Sequence, residues 1–278
     1  MSDASTAPGT CENVARAGIA PRVHVESVGE GPPLVLLHGW GLHAGLFAPL
    51  MPALARRFRV HAVDLPGHGH SAPLPHATLD TLADAVAGAF AGEREPLNVL
   101  GWSLGGLVAM RWSARASERI GRLVLVATTP RFVAGPDWPH AMTAHTLMRF
   151  GDEFAASWRS TMQRFLALQV HGSEQGRATL AAMRLELDAR GEPSRAALAD
   201  ALSILATSDL REEARSLAPP ALVVSGERDL LAPSAAGAWL AAAMPRARHV
   251  VVQGAAHAPF LSHRAAFDRA LDAFVDGD

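Results

Sequence analysis

Apolar residues in this chain fall into short continuous runs separated by stretches in which they recur every three or four positions. Residues 22–28 (Arg-Val-His-Val-Glu-Ser-Val) alternate apolar with polar, the period of a strand covered on one face, and suit an antiparallel edge strand. Mostly apolar runs follow at 33–37, 59–63, 97–100, 122–126, 221–225 and 250–252, and read as strands of a buried parallel sheet. Residues 78–90 and the stretch after Ser103 carry helical spacing instead. Strand and helix in alternation predict an α/β protein, with a mostly parallel central sheet and helices on both of its faces.

The alternation stops between about residues 131 and 209. Strand signal is missing there, and Leu147, Phe150, Phe154, Trp158, Met162, Phe165 and Leu166 recur at helical spacing. This segment reads as a helical lid inserted into a core made of residues 21–130 and 210–278. Most of that stripe serves core packing, and Phe165-Leu166-Ala167-Leu168-Gln169 is the best candidate for a second surface turned toward a ligand. Residues 1–20 are small and polar, without the charged start or apolar core of a secretory signal, and read as a flexible extension.

Directly behind the run 97–100 stands Gly101-Trp102-Ser103-Leu104-Gly105. Gly-x-Ser-x-Gly between a buried strand and a helix is a nucleophile elbow, a turn so tight that small residues must flank the serine. A serine hydroxyl is a weak nucleophile until an imidazole takes its proton, and that imidazole needs a carboxylate to hold its tautomer. Both follow in order. Asp229 lies in the loop after the run 221–225, and His257 in Gly254-Ala255-Ala256-His257-Ala258-Pro259 after the run 250–252. The order serine, acid, histidine is that of the α/β-hydrolases.

Other residues compete for these roles. Glu227 is a local rival to Asp229 but comes earlier in the loop. Asp64 precedes the serine and reads as a turn-stabilising residue. His24, His61, His76 and His249 read as structural or solvent-facing, and His38 as a brace for its loop. After the run 33–37, His38-Gly39-Trp40-Gly41 is placed to supply an oxyanion donor. The backbone N–H groups of Trp40 and Leu104 are the candidates.

Composition narrows the function further. A formal charge of −2 exerts no general pull toward nucleic acid or anionic membrane, and no apolar run approaches the roughly twenty residues that cross a bilayer. Cys11 is the single cysteine, so no intrachain disulfide is possible. Neither His-Glu-x-x-His nor Gly-x-Gly-x-x-Gly after a strand occurs, and neither metal nor cofactor is expected. All 25 basic residues are arginine and tyrosine is absent, a bias from which no chemistry follows.

Taken together, Leu36-Leu37-His38-Gly39-Trp40-Gly41-Leu42, Val63-Asp64-Leu65-Pro66-Gly67-His68-Gly69 and Leu100-Gly101-Trp102-Ser103-Leu104-Gly105-Gly106-Leu107-Val108-Ala109 resemble the α/β-hydrolase family of pimeloyl-[acyl-carrier protein] methyl ester esterases. The likeness continues in Arg164-Phe165-Leu166-Ala167-Leu168-Gln169, Asp209-Leu210-Arg211 and Ala255-Ala256-His257-Ala258-Pro259-Phe260. It implies Ser103, Asp229 and His257 as the triad, with Trp40, Leu104, Phe165, Leu166, Ala167, Leu168 and Gln169 around the acyl chain bound at Ser103 and His257. It also implies an acidic acyl carrier protein as partner, received by lid arginines, with Arg164 and Arg177 the best matches. Two further arginines of that family fall on Ser160 and Ala181 here, where neighbouring Arg159 and Arg184 stand ready to substitute. The implied activity is hydrolysis of the pimeloyl methyl ester in biotin synthesis, by a cytoplasmic monomer. A general short-chain esterase, a carbon–carbon bond hydrolase, or a hydrolase-like protein that only binds would retain much of the same pattern.

Overall fold

The computed structural model describes residues 23–187 and 189–277, so the expected extension over residues 1–20 lies outside the described residues. Seven strands form one sheet: β1 (Val25–Val28), β2 (Pro33–Leu37), β3 (Arg59–Val63), β4 (Leu97–Trp102), β5 (Ile120–Val126), β6 (Ala221–Gly226) and β7 (Ala247–Val252). Their order is β1-β3-β2-β4-β5-β6-β7. Every pairing is parallel except that of β1 with β3, where Val25 stands opposite Val63 and Val28 opposite Val60.

Burial follows position in the sheet. All residues of β2, β4 and β6 are buried, because central parallel strands are covered on both faces. In β1 only Val25 is half-buried, as suits an edge. The helices of the core are α1 (Met51–Leu54), α2 (Leu79–Ala89) and α3 (Leu104–Arg115), then, beyond the lid, α8 (Arg211–Ala214), α9 (Ser234–Ala243), α10 (Pro259–Ser262) and α11 (Arg264–Asp276). Thr78 caps α2 and exchanges hydrogen bonds with Thr81, which stops that helix from extending backward.

Four lid helices intervene: α4 (Ala144–Ala156), α5 (Trp158–Gln169), α6 (Gly176–Leu187) and α7 (Arg195–Thr207). The stretch from 186 to 200 is stitched to core loops. Ser194 N–H donates to the Gly67 carbonyl (3.1 Å), Trp40 Nε1 to the Leu198 carbonyl (2.9 Å) and Ala77 N–H to Asp200 Oδ2 (2.8 Å). Among the described residues no helix is long and apolar enough to cross a membrane.

Candidate active site

The site is assembled at the carboxyl ends of β2, β4, β6 and β7, the edge on which open parallel sheets bind ligands. Ser103 sits between β4 and α3 with φ 56° and ψ −117°, a left-handed conformation that costs a non-glycine residue about 1–3 kcal/mol. The surroundings enforce it. Ser103 N–H donates to the Val126 carbonyl (3.0 Å), and Thr128 Oγ1 donates to the Ser103 carbonyl (2.8 Å). Only glycine fits two residues on, since a Cβ at Gly105 would stand 2.2 Å from the Leu37 carbonyl oxygen.

Asp229 and His257 meet across the β6 and β7 loops. His257 Nδ1 lies 2.8 Å from Asp229 Oδ2 and 3.0 Å from Oδ1, and both side chains are buried. Asp229 Oδ1 also accepts from the amides of Leu231 (2.8 Å) and Ala232 (3.0 Å), so the carboxylate is fixed by its own loop. The other imidazole nitrogen, Nε2, is buried without a hydrogen-bond partner among the described residues. Ser103 Oγ therefore does not yet donate to it. The two residues are nonetheless tied through their neighbour, because Trp102 Nε1 donates to the His257 carbonyl at 2.8 Å. Sequence reasoning did not single out Trp102, and no local signal marks a contact between residues 155 positions apart.

The rival groups are occupied elsewhere. Glu227 Oε2 accepts the Gly254 amide (2.9 Å). A second serine–histidine pair, Ser225 Oγ and His249 Nε2 at 3.0 Å, links β6 to β7 within the sheet, and its histidine has no carboxylate partner among the described residues. That pair is a cross-strand contact. It has neither the elbow nor the acid that nucleophilic chemistry requires.

The loop after β2 lies against the serine: a Cβ at Gly39 would stand 3.2 Å from the Ser103 Cβ. Trp40 and Leu104 are buried, and their backbone N–H groups donate to no acceptor among the described residues. Buried amides are almost always paired, so two orphans beside one serine suit a developing oxyanion. His38 holds the loop. Its Nδ1 donates to the Gly39 carbonyl (2.8 Å), and its Nε2 accepts the Leu65 amide (2.9 Å). Both bonds require the neutral ring, and burial, helped by neighbouring His68, pushes its pKa down to about 3.

Beneath this loop Asp64 accepts from the amides of Ala44 and His70 (2.8 Å each) and from Arg190 Nη1 (3.1 Å). Burial alone would raise its carboxyl pKa, but those amides and the adjacent positive charge outweigh it and hold the group below the usual carboxylate range. Arg190 also donates to Glu26 on β1 (2.8 Å), so one lid arginine is bolted to two core carboxylates. An isolated arginine in a loop carries no sequence signal, and this latch was not anticipated.

Over the site lies α5. The Trp40 ring meets the rings of Phe150 (5.4 Å), Phe154 (5.6 Å) and Phe165 (5.0 Å) edge to face. Leu166 and Gln169 are buried, whereas Ala167 lies on the exposed side of the helix. Leu168 is 36 % exposed but borders an apolar cavity of about 50 Å³, together with Trp40, Leu147, Phe150, Phe165 and Leu231. Ala167 does not line it. That volume holds about one or two water-sized groups. A larger groove, about 470 Å³, runs between α4 and α7 and shares only Leu147 and Leu202 with the cavity.

The lid arginines Arg159, Arg164, Arg177 and Arg184 are all exposed on α5 and α6. Arg164 pairs with Glu153 (3.0 Å), and Arg159 pairs with Glu192 while lying over the Trp158 ring. No group of three or more metal-ligating side chains occurs among the described residues.

Residues 32–264 match the α/β-hydrolase fold family. The chain belongs to that family. It is 45 % identical over 247 residues to a pimeloyl-[acyl-carrier protein] methyl ester esterase from Chromobacterium violaceum, covering 89 % of this chain and 95 % of that protein. A protein of the same name from Nitrosomonas europaea is 42 % identical over 251 residues, covering 90 % and 98 %. At this identity and coverage the chain is a carboxylic ester hydrolase of the same branch. Among solved structures, an esterase from Exiguobacterium antarcticum superposes with a TM-score of 0.83 at 22 % identity, covering 91 % of this chain and 95 % of that one, which speaks to fold alone. A hydrolase from Pseudomonas aeruginosa superposes with a TM-score of 0.75 at 28 % identity, covering 91 % and 93 %.

Proposed function

We propose that this α/β-hydrolase is a serine carboxylesterase that converts pimeloyl-[acyl-carrier protein] methyl ester to pimeloyl-[acyl-carrier protein] and methanol in biotin synthesis. One observation carries the chemistry. A buried imidazole is held on one nitrogen by a buried carboxylate and is unpartnered on the other, and its backbone carbonyl is bonded to Trp102, next to a serine in a strained elbow. The substrate is supported by the relatives that bear that name.

In this reading His257 removes the Ser103 proton as Oγ attacks the ester carbonyl, and Asp229 steadies the imidazolium without taking the proton. The Trp40 and Leu104 amides receive the oxyanion. His257 then protonates departing methanol, and water hydrolyses the acyl-enzyme to leave a free carboxylate. The apolar methylenes of the acyl chain suit Trp40, Phe165, Leu166 and Leu168. Arginine forks on α5 and α6 offer bidentate contacts to carboxylates of the carrier. One chain supplies every group this chemistry needs, which fits a monomer.

Ser103→Ala should abolish methanol release from the carrier-bound substrate while circular dichroism and thermal midpoint stay unchanged, and retained turnover refutes the assignment. Growth of a biotin-requiring strain lacking the esterase, restored by this chain, separates the reading from a general short-chain esterase. Charge reversal at Arg164 and Arg177 should raise KM for the carrier-bound ester and leave a small chromogenic ester unaffected.

A further inference from the structure

Gln169 is 1 % exposed, yet neither its Oε1 nor its Nε2 has a hydrogen-bond partner among the described residues. A buried amide left unsatisfied destabilises a fold, so its presence points to something that completes it. Its position narrows what that is. Met162, Phe165, Leu166 and Gln169 stand at i, i+3, i+4 and i+7 of α5 and share one face. Met162 lies against Gly41, and Phe165 packs on the Trp40 ring, so this face looks onto the oxyanion loop. At its end the Gln169 carbonyl accepts the backbone N–H of His257 at 2.9 Å. His257 Nε2 is likewise buried and without a partner.

Resting on the esterase reading above, we propose that the Gln169 side chain holds the water that hydrolyses the acyl-enzyme. A primary amide presents both donor and acceptor, as water does. In this step Gln169 Oε1 accepts one hydrogen of the water, His257 Nε2 removes the other as a proton, and the water oxygen bonds to the acyl carbonyl carbon. When the tetrahedral intermediate collapses, its bond to Ser103 Oγ breaks, Oγ takes the proton back from His257, and the carboxylic acid leaves. Attack by Ser103 uses no water, so Gln169 acts in the second half of the cycle alone. An amide that merely touched the acyl chain would act in the first half as well.

The two cases separate in the kinetics of Gln169→Met with p-nitrophenyl butyrate. Loss of the water-holding group lowers kcat and KM together by about tenfold or more, leaves kcat/KM unchanged, and produces a burst of about one p-nitrophenol per active site. Hydroxylamine, a nucleophile strong enough to dispense with the held water, restores turnover of the variant. The thermal midpoint stays at or above that of the parent, because a buried unsatisfied amide has been removed. A fall in kcat/KM without a burst, or unchanged kinetics, overturns the proposal. Failure of the underlying serine-esterase chemistry looks different: the unmodified chain then releases no p-nitrophenol at all.

Discussion

Replacing His38 by alanine tests how the oxyanion loop is held. Gly39 C=O and Trp40 N–H belong to one planar trans peptide and point in opposite directions. Anchoring the carbonyl through His38 Nδ1 therefore also aims the Trp40 amide. His38→Ala leaves two buried backbone groups, the Gly39 carbonyl and the Leu65 amide, without their partner. At about 1–3 kcal/mol each the loss is ~2–6 kcal/mol, a large share of the 5–15 kcal/mol that typically separates folded from unfolded. Removing an oxyanion donor outright lowers kcat by about a hundred- to a thousandfold. Loosening one should lower it by ~10–100-fold, with KM little changed. Urea unfolding and steady-state hydrolysis of a chromogenic ester measure the two losses. His38→Asn, whose amide can stand near the position of Nδ1, should recover more activity than stability, because it restores the Gly39 contact and not the one to Leu65. If His38→Ala is destabilised while its kcat stays within about twofold of the parent, the peptide-plane argument is wrong.

Other outcomes follow from the same geometry. Asp229→Asn should lower kcat by about 10⁴-fold, since an amide cannot hold the imidazole in the required tautomer; a pH–rate profile and an unchanged fold would check it. Arg190→Met strips buried Asp64 of its cation and frees the lid from β1, at a cost on the order of 3 kcal/mol; faster amide hydrogen exchange across residues 186–200 should accompany the drop in urea midpoint. Acid should destabilise the fold from about pH 6.5 downward. His38 and His68 have pKa values pushed by burial to about 3 and about 4, below the ordinary 6.5, so the unfolded chain binds protons that the folded one refuses. Their contribution is complete above pH 6.5 and is lost progressively toward pH 4, at up to about 1.4 kcal/mol per pH unit for each ring. Urea unfolding across that range reads the slope, and a flat profile would contradict neutral buried rings.

Much of this molecule is written in local pattern. Buried parallel strands are mostly apolar, and the runs at 33–37 and 59–63 match β2 and β3 residue for residue, with Arg59 and His61 on half-buried positions. The elbow is local in the strain at Ser103 and in the approach of Gly101 to the Gly105 carbonyl, whereas the side chain excluded at Gly105 would meet the Leu37 carbonyl of neighbouring β2. The edge strand begins only at Val25 within a segment that alternates from residue 22, because alternation marks a half-covered surface and not the point where pairing starts. Within residues 165–169, Phe165 and Leu168 border the apolar cavity while Ala167 lies on the exposed side, because a helix turns 100° per residue.

The remainder depends on partners far apart in the chain. Trp102 steadies the His257 loop, Arg190 bolts the lid to Asp64 and Glu26, and Gln169 is buried with its carbonyl on the His257 N–H and its side-chain amide unsatisfied. Hydrophobic period and turn chemistry decide what each segment becomes, because they act over a few residues. Which tryptophan reaches which carbonyl is settled only when the sheet closes and the lid packs, since packing selects among contacts that are all equally compatible with the local pattern.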